Sequence, residues 1–284
     1  MQARSPQASA LSLDEAKRRL TASLDDRSIE LPVLPGVAAE VIASSLDDAA
    51  DAARLAQLIQ QDQSLAAHVM RVVNSPAFRI ATEIVALRQA IARLGLAKIR
   101  EIALAASLAR GVFGETSHRA IAQEAWALAS CAGLWAKEVA RACRRNVEMA
   151  YLCGLFHNVG TPLALAALAK LAPSGLSDGD ARRLVADVGP RAGGLLATAW
   201  KLPDPVIATV EHINVFADGG AHTDAVAIAD AGVRIARLMQ SGALEASAVT
   251  GIASIQHLNL YPDAVAKLVG ARDAIRAMME SMTA

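Results

Sequence analysis

The sequence predicts an all-α protein, and three observations carry that prediction. Hydrophobic residues make up 54% of the 284 positions while aromatics make up 3%. A core so poor in Phe, Tyr and Trp must be built from Leu, Val, Ile and Ala, which favours helices over a β-sandwich. Apolar residues also recur at three- and four-residue spacings, in segments bounded by capping residues, prolines and glycines.

The elements follow in order. A capping box, Ser12-x-x-Glu15, opens a helix with Leu13, Ala16, Leu20 and Leu24 on one face. In "LPVLPGVAAEVIASSL" the second of two prolines, Pro35, can start a helix running to about Leu46. Asp51 can cap a short helix presenting Leu55, Leu58 and Ile59. Asp62 begins another, with Leu65, Val69, Val72 and Val73 inward, stopped by Asn74-Ser-Pro76. Ile84, Leu87, Ile91 and Leu94 mark a helix ended by Gly95. The stretch 96–110 is apolar almost all round, as a buried central helix would be.

Residues 111–117 form the clearest internal joint, with two glycines and a Thr-Ser pair. Helices of about 119–143 and 147–158 follow. Gly160 can close the second, with Thr161 and Pro162 capping and starting the next. Pro173-Ser-Gly175 breaks the chain and Ser177-x-x-Asp180 restarts it. Asp204-Pro205 repeats the cap-and-proline device, and two last helices cover about 224–240 and 262–282. The implied division is an N-terminal segment with one capped helix (1–28), a helical half (29–115) and a second helical half with the C-terminal helices (116–284).

Composition also limits function. Basic and acidic residues balance at 28 each, so no general attraction to nucleic acid or an anionic membrane is expected. Cys131, Cys143 and Cys153 form no C-x-x-C pair and read as buried, reduced thiols of a cytoplasmic protein. Residues 1–12 lack an apolar signal region, and the longest apolar runs, 125–136 and 162–169, fall short of the ~20 residues that span a bilayer.

Five segments, "LPVLPGVAAEVI", "LAQLIQQDQSLAAHVMRVVNSPAF", "VALRQAIARLGLAKIREIALAASL", "AYLCGLFHNVG" and "TAWKLPDPVIATVEH", occur in an order and at separations that resemble the HDOD family, a branch related to the HD-domain phosphohydrolases. The resemblance covers roughly residues 29–238. It implies an N-terminal helical bundle packed on an HD-like helical bundle, and a place among bacterial signalling proteins.

In the catalytic HD proteins, the resemblance implies, a His, then an adjacent His-Asp pair, then a distant Asp hold the metal. Imidazole plus carboxylates suits Mn, Fe or Zn, which activate water for attack on a phosphoester. Carried onto this chain, the set is broken. Leu128 stands where the first His would be, in Trp126-Ala-Leu128-Ala129. His157 survives, its partner is Asn158, and the distant Asp is matched by Asp230 in "AVAIADAG". Leu donates nothing and Asn removes a negative charge, so neither a tightly bound catalytic metal nor another cofactor is expected. The position where relatives often carry two histidines reads Glu211-His212-Ile213.

Two readings of these residues stay open. His157 can be a buried histidine bonded to a neighbour. Alternatively His157, Asn158, His212 and Asp230 line a leftover polar pocket for a small phosphorylated ligand. Elsewhere, His68, His118, His222 and His257 lack ligand spacing, and Gly193-Gly194 suits close helix packing better than phosphate cradling. Arg141, Arg144 and Arg145, with Arg182 and Arg183, read as solvated faces, a patch for acidic partners or nucleic acid being the minority case. The leading expectation is a non-enzymatic signal-transduction module acting on signalling-protein partners. A nucleotide or second-messenger sensor comes second, and a phosphohydrolase with a rearranged site third.

Overall fold

Ser12 opens the first helix, α1 (Leu13–Asp25), its hydroxyl accepting from the Glu15 amide at 3.3 Å. Ala16, Leu20 and Leu24 form the buried face that their spacing predicts. The Glu15 carboxylate does not complete the box; it pairs with Arg18 and Arg19 instead. The structure, a computed structural model, describes residues 12–26, 28–44, 52–78, 83–114, 116, 118–172 and 176–283, and among them every regular element is a helix. Ser45, Leu46, the expected Asp51 cap and the expected break at Pro173–Gly175 lie outside the described residues.

Pro35 accepts the first helical bond of α2 (Gly36–Ser44), from the Ala39 amide at 2.9 Å. α3 (Ala52–Gln61) leads into α4 (Gln63–Val73), where Asp62 caps the Leu65 amide at 2.9 Å and Leu65, Val69, Val72 and Val73 are buried. The Asn74 side chain then acts as a piece of backbone. Its Nδ2 donates to the carbonyls of Met70 (3.0 Å) and Ile84 (2.9 Å), and its Oδ1 accepts from the Ile84 amide (2.8 Å). One amide thereby ties the end of α4 to the start of the strand-like lead into α5 (Leu87–Leu94). Gly95, at φ 80°, provides the left-handed turn between α5 and α6 (Leu96–Gly111). The middle of α6 is buried on all sides, as its pattern predicts, including the polar Glu101 and Ser107.

The second half is built on α7 (Arg119–Ala142). α8 (Val147–Phe156) lies against it so closely that a Cβ on Gly154 would sit 2.7 Å from the Ala132 carbonyl oxygen. The segment expected to end at Gly160 stops earlier, at Phe156, and Gly160 instead begins α9 (Gly160–Leu171). Thr161 makes no cap bond there. The glycine is required by contact rather than by a turn: its Cβ would fall 1.9 Å from the Gly189 carbonyl oxygen on α10 (Asp178–Ala199). Ser177 caps α10 through the Asp180 amide at 3.1 Å, and Pro190 lies within the helix, leaving the Ala186 carbonyl without its usual donor. In α11 (Asp204–His212) Asp204 occupies the first helical position without a cap bond, Pro203 preceding it.

α12 (Thr223–Gln240) packs tightly on α7: a Cβ on Gly232 would lie 2.7 Å from the Ala132 carbonyl oxygen and 2.8 Å from the Ala136 amide nitrogen. The expected single helix over 262–282 is two, α15 (Pro262–Val269) and α16 (Arg272–Thr283), preceded by the short α13 (Ala246–Thr250) and α14 (Ala253–His257). α16 returns against α4 and α6, and α1 lies across α9 and α10. Lys17–Asp187 (2.6 Å), Arg191–Asp25 and Lys170–Glu30 (2.8 Å) flank that seam, and Trp200 Nε1 donates to the Pro32 carbonyl at 2.8 Å. The N-terminal helix is therefore docked on the second half. A single hydrophobic core runs through both halves, from Ala16 to Met282. Among the described residues, 147–171 is long and apolar enough to cross a membrane, but 78% of its apolar window is buried and a turn at 157–159 divides it between α8 and α9.

Between the halves sits a buried ion pair. Lys137 of α7 bonds Glu101 of α6, and Lys98 reaches the same carboxylate at 2.7 Å. Desolvation pushes the Lys137 pKa down, with Glu101 opposing.

Candidate functional site

α7, the turn between α8 and α9 with the start of α9, α10 and α12 leave a cavity of about 650 Å³ between them. It brings together four of the five residues that the sequence singled out: Leu128, His157, Asn158 and Asp230 all line it. His212 does not. It is the last, half-buried residue of α11, and the wall there is formed by the next two residues, Ile213 and Asn214.

His157 follows the last residue of α8, which the Gly154 contact holds on α7. Its Nδ1 donates to the Gly154 carbonyl at 2.7 Å. Burial pushes its pKa down to about 4, and Arg237 adds to the effect while Gly154 and Asp230 oppose it. At neutral pH the ring is therefore uncharged and Nε2 carries a lone pair. The Asn158 side-chain amide donates to the Ala125 carbonyl at 2.9 Å, and its Oδ1 is buried with no hydrogen-bond partner. Asp230 is only 4% exposed, and both of its oxygens accept from Arg234 Nε, at 2.9 and 2.8 Å.

The cavity also contains residues that the sequence reading did not assign to it. Arg182, read there as part of a solvated cluster, lines the rim and bonds Glu124 at 2.6 Å. Arg234 and Arg237 line it as well. The sequence did hold a signal: Asp230, Arg234 and Arg237 stand at i, i+4 and i+7 and so share one face of α12.

These residues do not fit a catalytic divalent cation. Leu128 offers no donor, Asn158 presents a neutral oxygen where a carboxylate would carry charge, and a guanidinium already neutralises the Asp230 carboxylate. Among the described residues, no group of three or more His, Cys, Asp and Glu side chains is arranged to hold a metal.

The remaining candidates have local roles. His118 Nδ1 pairs with Asp178 at 2.9 Å and His257 Nε2 with Asp224 at 3.1 Å. Burial, then Arg71 and Arg110, lowers the His68 pKa. Burial pushes the Cys131 thiol up to about 11 and Cys153 up to about 12, so neither is a ready nucleophile. Arg141 pairs with Glu138, Arg145 with Asp224 at 2.6 Å and Arg183 with Asp180 at 3.8 Å. Gly193 is a packing glycine, since a Cβ there would meet Val210 at 2.5 Å.

The fold has close counterparts. An HDOD domain protein of unknown function from Geobacter sulfurreducens superposes with a TM-score of 0.73 at 21% identity, over 94% of this chain and 98% of that one. A protein of Shewanella amazonensis SB2B, provisionally named a metal-dependent phosphohydrolase, gives 0.70 at 21% identity over 95% and 99%. One of Marinobacter aquaeolei VT8, provisionally named a signal transduction protein, gives 0.64 at 24% identity over 96% and 67%. In sequence the chain is 27% identical over 204 residues to an uncharacterized protein of Treponema pallidum (strain Nichols). That match covers 68% of this chain and 39% of the relative, so it spans about two fifths of the relative's length. The HDOD domain model matches residues 31–216, about two thirds of the sequence. The chain belongs to the HDOD family.

Proposed function

We propose that this chain is a non-enzymatic signal-transduction module that acts by contact with protein partners. One observation carries the first half of the reading: Arg234 takes both oxygens of Asp230 at 2.8–2.9 Å. With Leu128 offering no donor and Asn158 a neutral oxygen in place of a carboxylate, only His157 and the Arg234-paired Asp230 remain of the set that would hold a metal and activate water. Losing groups that merely support a ligand typically costs ~10–100-fold in metal affinity or activity, and losing ligands themselves costs more. The second half is motivated by membership of the HDOD family and by the likeness to a provisionally named signal transduction protein.

The test is turnover of a generic phosphodiester and of cyclic dinucleotides with Mn, Fe or Mg supplied. The expected result is none above background. Turnover that disappears in a folded His157→Ala variant would overturn the reading. For the second half, the chain should be recovered from its own cells in stoichiometric complex with another protein. Recovery of the free chain alone would count against it.

A further inference from the structure

The polar groups around the cavity sort by depth. On the buried side, those not already committed to a protein partner are acceptors. His157 has its Nδ1–H on Gly154, which leaves the lone pair of Nε2. Asp230 accepts twice from Arg234, and a carboxylate has about four lone-pair sites, so about two are left. The Asn158 amide nitrogen is committed to Ala125, and only its oxygen is unmatched. Thr161, half-buried in the same wall, has a hydroxyl that can serve either way. The exposed rim is richer in donors: Arg182, Arg234 and Arg237 supply them, while the amides of Asn214 and Gln240 can serve either way. Three guanidinium groups stand against the carboxylates of Glu124 and Asp230, so the cavity carries one positive charge in excess. That excess is Arg237: Arg182 is paired with Glu124 and Arg234 with Asp230, whereas the Arg237 side chain makes no ion pair or hydrogen bond among the described residues.

An acceptor-lined floor takes either a cation or a neutral N–H or O–H group. The positive excess and the guanidinium on Asp230 oppose the cation. Leu128, Val185 and Val233 provide apolar walls on which a ring can lie. We infer that the cavity binds a small organic anion bearing an amino-substituted ring, its neutral amine directed inward to His157 and Asp230 and its anionic group held at the rim by Arg237. The ring's amine meets acceptor sites that the protein's own bonds leave over, and the anion removes the charge imbalance. A volume of about 650 Å³ lies within the range that holds ligands of this size. This orientation places the anion outward, away from the position of the lost metal set. It requires no turnover, and it stands whether or not the module's partners are proteins.

Adenosine 5′-monophosphate and cytidine 5′-monophosphate are the simplest probes with both features. Isothermal titration against the full chain is compared with two stripped probes: adenosine, which lacks the anion, and purine riboside 5′-monophosphate, which lacks the amine. Inorganic phosphate is the fourth probe. At least one of the two complete probes should bind, and removing either feature from adenosine 5′-monophosphate should weaken binding about tenfold or more. Arg237→Ala, at an exposed and unpaired position, should weaken the complete probe by a similar factor and leave adenosine unchanged. Four results would overturn the inference: no binding of either complete probe at millimolar concentration; equal binding with and without the amine; phosphate alone binding as tightly as the nucleotide; or an Arg237→Ala variant that binds adenosine 5′-monophosphate as the parent does.

Discussion

Acid should loosen this protein through His157. The ring is 6% exposed, its Nδ1 is bonded to Gly154, and its pKa in the folded chain is about 4. In the unfolded chain an imidazole titrates near ~6.5. The folded value is the lower one, so as pH falls the unfolded chain takes up the proton first. Stability from the neutral buried ring is therefore complete above pH ~6.5 and drains away between ~6.5 and ~4. At about 1.4 kcal/mol per pKa unit the full loss is about 3 kcal/mol, of which about 2 kcal/mol develops between pH 7 and pH 5. The assay is urea unfolding at those two pH values for the parent and for His157→Gln, which has nothing to titrate. His68, whose pKa is also lowered by burial, acts in both proteins and cancels. The variant should lose about 2 kcal/mol less than the parent on acidification, whatever its stability at pH 7. Equal losses in the two proteins would refute the account of a buried neutral ring.

Four further experiments probe the packing and the cavity. Lys137→Met leaves the Glu101 carboxylate buried with only Lys98, and should destabilise by about 3 kcal/mol in urea unfolding; adding Glu101→Leu should restore most of it. Gly232→Ala forces a methyl against the backbone of α7, and a loss of about 1–3 kcal/mol in the same assay is expected. Arg234→Ala strips the buried Asp230 of its partner and should cost about 1–3 kcal/mol at pH 7, a loss that Asp230→Asn in the same chain should largely cancel. Combining Leu128→His, Asn158→Asp and Arg234→Ala rebuilds the donor set that the family's catalytic relatives imply, so added Mn should raise the melting temperature of this variant and leave the parent unchanged.

The boundaries legible in the sequence are local events: Ser12, Asp62 and Ser177 satisfy free amides at helix starts, and Gly95 stops a helix with a positive φ. Other boundaries obey contacts instead. Gly160 has the composition of a helix stop, yet its role is to let α9 meet α10, a fact held by Gly189 far along the chain. Pro190 would ordinarily end a helix and does not, since tertiary packing on both sides outweighs one lost bond. The candidate site shows the same division. Leu128, His157, Asn158 and Asp230 were found because a resemblance supplied their positions. Arg182 reads as solvated because ion pairs with distant residues such as Glu124 leave no mark in sequence. His212 was included because it lies one residue from the wall, a distance at which a turn after a helix decides which side chain faces the space.

Asp230 links the fold to the reading of the site. A carboxylate at 4% exposure must be neutralised by something, because an unpaired buried charge costs several kcal/mol. In a metal-dependent relative the cation would do it. Here the counter-charge is Arg234, one helical turn along α12, which keeps about half of its own side chain in water while its Nε reaches the buried oxygens. The neutralising group is thus part of the same helix and does not depend on any ion being bound. That lets Asn158 and Leu128 stand where ligands would, with no charge left to balance on the floor. It also places the next helical position on that face, Arg237, beside an already neutral pair, so its charge is directed at whatever enters from solvent. The same face of α12 thus carries both the carboxylate's own counter-charge and a further exposed cation, Arg237, on the lining of the cavity.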